Sequence, residues 1–364
     1  MKRGMILIAI AAAALYGAKV KPAGRIFGYY SNTLSDPDST KVGYNEFGIS
    51  RAYLDLKADF MEANEEETPP FQAKAKITYD AEPLNNLVRI TPDPADSTPP
   101  SVSVSGLYAG FLKFAYGEIG AFRGMPGELW LRVGQIPTPW TGNEEDIWRL
   151  RYVAKVLTDE YKVLNTADRG VGLEYKFPSG YGSAYAIYMN GEGFKSGEVN
   201  EFKDMAGRLS VFPLAGMGQA LSGLGIHGCY QLGKPDEDMV RNRMIGGVSY
   251  VMGDRFGLMG SYLMAENGAS DNSTSASGYS AWAWVDLGNL TFMGTTQSFG
   301  FFGRYDSYDP DSETEDDATT SIIGGAYYNF AKGWQMALDY QMQKPQDPDT
   351  EATSRIYLHL LSSF

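Results

Sequence analysis

The chain has one cysteine, Cys229, so no internal disulfide can staple its 364 residues. A lone thiol inside a strand-like run reads most simply as a small packing residue. There are two histidines, His227 and His359, which leaves few candidates for a general base or a metal ligand. No GxSxG, HExxH or phosphate-loop pattern occurs. The expected catalytic residues, cofactors and metals are therefore none. Basic residues are also scarce, at 31 Lys and Arg against 44 Asp and Glu, for a formal net charge of −13. Nucleic-acid binding needs a basic footprint, so that partner is set aside. Past the N-terminus no apolar run approaches the roughly 20 residues that a membrane-crossing helix needs.

What is present is aromatic and glycine-rich, with 24 Tyr, 18 Phe and 42 Gly at a mean hydropathy of −0.27. A transmembrane barrel hides its apolar character, because only every second residue of a strand meets lipid. The first residues read as a secretory signal peptide over 1–18. Lys2 and Arg3 lead a short apolar core from Met5 to Leu15, and small residues follow at Gly17 and Ala18. Export into a bacterial periplasm is expected, with 19–364 as the mature unit.

Residues 50–60, SRAYLDLKADF, show the pattern that decides the class. Ala52, Leu54, Leu56, Ala58 and Phe60 share one parity, and Arg51, Tyr53, Asp55, Lys57 and Asp59 share the other. Only a period of two sorts them. The C-terminus alternates too, with Ile356, Leu358, Leu360 and Phe364 opposite Arg355, Tyr357 and His359. This ending resembles the closing strand of outer-membrane barrels, whose terminal aromatic, here Phe364, is read by the barrel-assembly machinery. Sixteen such runs can be placed, near 24–30, 43–60, 70–80, 105–118, 128–137, 168–178, 182–190, 202–212, 222–232, 241–252, 255–266, 278–287, 291–306, 319–330, 333–344 and 353–364. Short Gly-bearing turns (FPSGYG, MGDRFG, DLGNL, FAKGW) alternate with long polar stretches near 31–41, 80–105, 190–201, 234–237, 266–277, 306–319 and 343–352. The expected fold is all-β: a transmembrane antiparallel barrel of about sixteen strands, with short periplasmic turns and long outer loops. Aromatics at Tyr29–Tyr30, Trp130, Phe301–Phe302, Tyr327–Tyr328 and Trp334 are expected in interfacial girdles.

The connection over 137–168 differs, being long and rich in Trp, Leu and Val. Ile147, Leu150, Val153 and Ala154 recur at helical spacing behind Glu144, Glu145 and Asp146. Such a segment is expected to fold into the barrel as a constriction. Its Arg149, Arg151 and Lys155 would face acidic neighbours across the opening. Parity nominates Arg51, Asp55, Lys57, Lys74, Lys76, Arg132, Glu174, Lys176, Asp204, Arg208, Arg243, Arg304 and Asp339 as pore-lining. A lipid-facing Lys or Arg costs roughly 2–4 kcal/mol at mid-membrane. Their mixed signs predict weak ion selectivity, and no lysine-dense cluster stands out along the chain. The acidic runs EANEEET and DPDSETEDD read as solvated loops.

Several stretches resemble the family of phosphate-selective porins O and P: LRVGQIPTPW at 131–140, ADRGVGLEYKF at 167–177, GRLSVFP at 207–213 and FFGRYDSYDP at 301–310. The resemblance implies a sixteen-stranded barrel with an inward-folded loop, a homotrimer, and anion transport in the named members. The expected function is a porin for passive diffusion of small hydrophilic solutes and ions across a bacterial outer membrane, with membrane lipids and lipopolysaccharide as surroundings. The alternatives are a substrate-specific channel for phosphate, other oxyanions or oligosaccharides, and a plugged structural or adhesive barrel. An enzyme would need a Ser or Asp within hydrogen-bond reach of His227 or His359.

Overall fold

The structure, a computed structural model, describes residues 18–60, 70–83, 108–122, 124–269, 272–292 and 295–364. The expected signal peptide (save its last residue), the EANEEET run and most of the 80–105 stretch lie outside those residues. Strands β1 (Lys19–Ser35), β2 (Asn45–Asp59), β3 (Gln72–Pro83), β4 (Tyr108–Gly120), β5 (Glu128–Pro137), β6 (Ala167–Lys176), β7 (Gly182–Met189) and β8 (Asp204–Val211) make the first half. Strands β9 (Leu224–Leu232), β10 (Met239–Met252), β11 (Phe256–Ala269), β12 (Asn272–Phe292), β13 (Thr295–Asp309), β14 (Thr319–Ala331), β15 (Trp334–Pro345) and β16 (Thr353–Ser363) make the second. Each pairs antiparallel with its sequence neighbours, and β1 pairs with β16 to close a barrel of sixteen strands. Closure leaves no strand edge unpaired, which is what hydrocarbon demands of a β-structure.

Alternation decides the two faces. Leu54, Leu131, Val133, Leu173, Leu209, Val248 and Leu358 point outward and are exposed, while Arg51, Asp55, Glu174, Arg243 and Arg304 point inward and are buried. The seam is finished by Phe364, whose N–H donates to the Gly24 carbonyl at 3.0 Å and whose carbonyl accepts from the Gly24 N–H at 2.8 Å. Its ring lies across Gly24, where a Cβ would come within 2.3 Å of the ring tip, so glycine is what this strand can place there.

Two loop expectations are corrected. Residues 266–277 are not a long loop, because β11 runs to Ala269, β12 starts at Asn272, and the two strands pair throughout. DLGNL is not a turn either: β12 continues to Phe292 through a register irregularity between Asp286 and Asn289, where Gly288 takes a positive φ of 95°. A glycine in a strand that reads as a hairpin turn is here a bulge. The girdle expectation also fails at several positions. Trp130, Phe302 and Tyr327 are inward and buried. Tyr29 donates to Glu46 on the inner face. Neighbours in a strand face opposite sides, so only one member of each aromatic pair can meet lipid.

Candidate functional site

The connection 138–166 does not stand out in solvent; it lies against inward-facing side chains of the wall. Helix α1 (Thr141–Trp148) ends where Arg149 adopts a left-handed φ of 62°, its N–H returning to the Glu145 carbonyl. The helical spacing expected to run on through Ala154 therefore stops a turn and a half early. A single turn, α2 (Leu157–Glu160), follows. Trp140, Trp148, Leu150, Val153, Val156 and Leu157 form one dry cluster with Ile245, Met259, Leu263, Trp282, Phe302 and Ile323 of the wall. The Trp148 ring meets Trp282 edge-on at 5.3 Å and Phe302 at 6.1 Å. Truncating such a buried ring costs roughly 3–5 kcal/mol, so this packing fixes the loop's position.

Hydrogen bonds set its height. Trp284 donates to the Ile147 carbonyl at 3.0 Å, Arg304 to that of Lys155 at 2.5 Å, and Arg243 to that of Val163 at 2.9 Å. Two nominated pore-lining residues, Arg243 and Arg304, thus sit beneath the loop as its anchors. Arg304 is held in turn by Asp306 at 2.5 Å. Parity places a side chain inside the barrel and says nothing of whether another segment covers it.

Glu144 enters the same dry interface. It accepts from the Trp140 indole at 2.8 Å and lies 3.4 and 3.3 Å from the Thr158 and Ser261 hydroxyls. Burial pushes its carboxyl up to about 7, against the pull of Arg304 and the Trp140 hydrogen bond. It does not face the opening with Glu145 and Asp146.

The loop's cations are spent locally, which corrects their expected role. Arg151 pairs with Glu145 at 2.6 Å and Asp159 at 2.9 Å of its own loop. Lys155 lies 3.9 Å from Glu160, and Arg149 reaches Asp254 in the β10–β11 turn at 2.8 Å. The side the loop turns to the opposite wall is acidic. Burial and Glu145 raise the Asp146 carboxyl, and Arg208, Lys76 and Arg25 oppose that rise from across the opening. Asp159 is lowered despite burial, because Arg151, Lys155, Lys113 and Arg51 surround it.

The opposite wall, β1 to β8, holds the remaining nominated residues except Asp339, which stands on β15. Lys57 and Lys76 are register partners, and Lys74 stands over the Trp130 ring at 4.4 Å. Arg25 and Lys76 approach Asp55 at 3.8 and 3.9 Å. Arg132 bridges Glu118 at 2.8 Å and Glu174 at 2.7 Å, and Arg208 reaches Glu174 at 3.5 Å. Arg51 pairs with Asp80 at 2.8 Å. Lys176 is 3.5 Å from Glu128 near the Phe364 rim. Asp204 accepts from Arg241 at 3.0 Å, and Asp339 lies 3.2 Å from His359.

A lysine cluster does exist, contrary to the reading along the chain: Lys57, Lys74, Lys76 and Lys113 come from three adjacent strands. Lys113, Arg25 and Asp159 were missed by parity. Strict alternation from Phe114, Tyr116 and Glu118 would aim Lys113 at lipid. Where Thr78 pairs with Phe114 and Tyr79 with Leu112, the register skips Lys113 and turns it inward, over the Tyr53 ring at 5.4 Å. The signal available was its energy, since a lysine amid GFLKFAYG is too costly for the lipid side.

The histidines have hydroxyl and carboxylate neighbours. His227 sits between the Ser210 and Ser249 hydroxyls at 2.9 and 2.8 Å. All three are at most 3% exposed, so the triplet bridges β8, β9 and β10 without offering a nucleophile to a solute.

Neither a protein-family model nor a curated protein sequence matches the chain. Solved structures do. An anion-selective porin from Comamonas acidovorans superposes with a TM-score of 0.62 at 13% identity, covering 95% of this chain and 100% of its own. Salmonella typhi OmpF, in complex with daunomycin, gives 0.61 at 12%, covering 96% and 99%. The in-vitro folded trimer form of Vibrio cholerae OmpT gives 0.56 at 11%, covering 95% and 99%. As a closed antiparallel barrel of sixteen strands, this chain has the fold of the bacterial outer-membrane porins.

Proposed function

We propose that the protein is a passive diffusion porin of a bacterial outer membrane, conducting small hydrophilic solutes and ions between the 138–166 loop and the β1–β8 wall. The observation that carries this reading is the asymmetry of the interior. One half of the inner wall is largely apolar and covered, and the other is lined by water-seeking charges. The rim bearing Lys19 and Phe364 is assigned to the periplasm and the long-loop rim to the outside. Glu145, Asp146 and Asp159 face Arg25, Lys76, Lys113 and Arg208 across the gap, which sets a transverse field where the path is narrowest. No catalytic step, metal or cofactor enters this reading.

Around Asp55 the cations Arg25, Lys57, Lys74, Lys76 and Lys113 outnumber the carboxylates, so the open path favours anions although the whole chain is acidic. That cluster also favours a second, finer reading: an oxyanion-preferring channel in the manner of the phosphate-selective porins. The assembly proposed is a homotrimer set among outer-membrane lipids and lipopolysaccharide, inserted through recognition of the Phe364 strand by the barrel-assembly machinery.

The test is single-channel conductance of the refolded mature protein in a planar bilayer, with the reversal potential read under a KCl gradient. Stable large steps with a chloride-directed potential are expected. A folded, heat-modifiable barrel that passes no current would sink the porin reading in favour of a plugged one. Orthophosphate that interrupts the current far below the concentrations needed for chloride would move the reading to the oxyanion channel.

A further inference from the structure

The connection from β7 to β8, residues 190–203, leaves from the long-loop rim and folds inward. In barrel order β7 is four strands from β3, roughly 20 Å along the wall at about 5 Å per strand. The tip of the connection nevertheless meets β3 and β4 on their inner faces. Lys195 pairs with Glu82 of β3. Glu82 and Asp80 share the inward Arg51, at 2.5 and 2.8 Å, which places Glu82 on the inner side. The Phe194 ring meets Phe111 of β4 edge-on at 6.3 Å and lies 6.0 Å from the Lys113 ammonium.

The roots of this connection are built into the wall. The Asp168 carboxylate accepts from the Gly191 and Gly193 N–H groups at 2.9 and 3.0 Å. Both glycines have a positive φ, 103° and 78°. A Cβ on Gly191 would collide with the Arg241 guanidinium, and one on Gly193 with the Asn165 side chain. Asn165 belongs to the 138–166 loop, so the two inward connections abut. Arg241 bridges Glu192 at 3.5 Å and Asp204 at 3.0 Å, and Arg169 donates to the Ser196 carbonyl at 2.6 Å. Asp168 and Asp204 are 1% and 0% exposed. The tip differs, being held by ring contacts and an ion pair whose lysine side chain is 41% exposed. Such a pair contributes little in water.

On the same side of the barrel, a cavity of about 520 Å³ lies between residues 151–155 and the inner faces of β1, β2 and β13 to β16. Arg51 lines that cavity and also holds Glu82, so it marks the border between the cavity and the tip.

We propose that the 190–203 connection is a strap that closes the β3–β7 side of the outer mouth. With the 138–166 loop it sets the size limit for entry and admits solutes beside β1, β2 and β16. The Lys195–Glu82 pair is its latch. The proposal rests on the porin reading, in which solutes arrive from the long-loop side.

The refolded full-length barrel is tested in a planar bilayer with neutral polyethylene glycols of graded size on the long-loop side. A polymer that enters the mouth lowers the current. Lys195→Gln removes the latch and leaves Glu82 with Arg51. It should raise the population of the released strap about fivefold, the equivalent of about 1 kcal/mol for an exposed ion pair. The readout is more frequent steps to a higher conductance, and entry of larger polymers from that side alone. Bridging Lys195→Cys to Glu82→Cys with a short bismaleimide should abolish those steps, the native Cys229 being buried. A second readout needs no current. Phe114 lies below the tip, with the Lys113 ammonium between its ring at 5.7 Å and that of Phe194. A bulky maleimide polymer should modify Phe114→Cys about fivefold faster when Lys195→Gln is added. A polymer limit and a labelling rate both unchanged by Lys195→Gln overturn the strap and leave the porin. Latch-dependent labelling of a barrel that passes no current keeps the strap as a cover of the mouth and removes the porin reading alone.

Discussion

The two halves of the inner wall share one geometry and differ in everything else. Inward positions of β1 to β8 carry Arg25, Arg51, Asp55, Lys57, Lys76, Arg132, Glu174 and Arg208. Inward positions of β9 to β14 carry Cys229, Ile245, Met259, Leu263, Ala276, Trp282, Phe302 and Ile323. Both sets obey the same alternation, so the period of two cannot tell a wet wall from a dry one. What separates them is the loop 138–166, whose apolar face needs a matching surface and finds most of it on the second half, with Phe27 and Tyr53 of β1 and β2 at its margin. A charge on the covered side therefore anchors the loop, and under the proposed function a charge on the open side is one that permeating ions would meet.

That contrast is sharpest for charge removal. On the covered side, Arg304→Gln leaves Asp306 buried and unpaired and releases the Lys155 carbonyl. The expected cost is roughly 3–5 kcal/mol, read as a lower unfolding midpoint together with noisier open-channel current. An unchanged midpoint would mean that the loop is held by its tryptophans alone.

Glu144→Gln tests the same interface through pH. Folding holds the Glu144 proton, since burial lifts the group from 4.5 to about 7. Its contribution is thus full below pH 4.5 and is lost as pH rises through 7. The protein should grow less stable across that window, by on the order of 3 kcal/mol, while the glutamine variant stays flat. Denaturation midpoints between pH 4.5 and 8 decide the point.

The smallest effect belongs to the open side. Lys76 is about a quarter exposed and only 3.9 Å from Asp55, a pairing worth little in water. Lys76→Gln should leave the midpoint in place and lower the anion preference by roughly twofold, since a unit charge about 10 Å from the ion path is worth about 0.4 kcal/mol in water. A large stability loss here, or no change in reversal potential, would erase the distinction between the two walls.

By itself the sequence determined the class of the molecule and most of its strands. Alternation is local and is enforced by the cost of placing charge in lipid, so Arg51, Asp55, Lys57, Lys76, Glu174 and Arg208 could be placed inside from their neighbours alone. The inner loop was visible as an apolar insertion where a polar one was expected. Tertiary structure decided the rest. Lys57, Lys74, Lys76 and Lys113 form a cluster only because β2, β3 and β4 lie side by side and a bulge rotates Lys113. Arg151 faces Glu145 and Asp159 only because Arg149 ends α1 with a left-handed turn. Arg243 and Arg304 lie under cover only because a segment some 80 to 150 residues away in sequence packs on them. Alternation acts over two residues, whereas register, bulges and loop docking act across strands, and a single chain read in order records only the first.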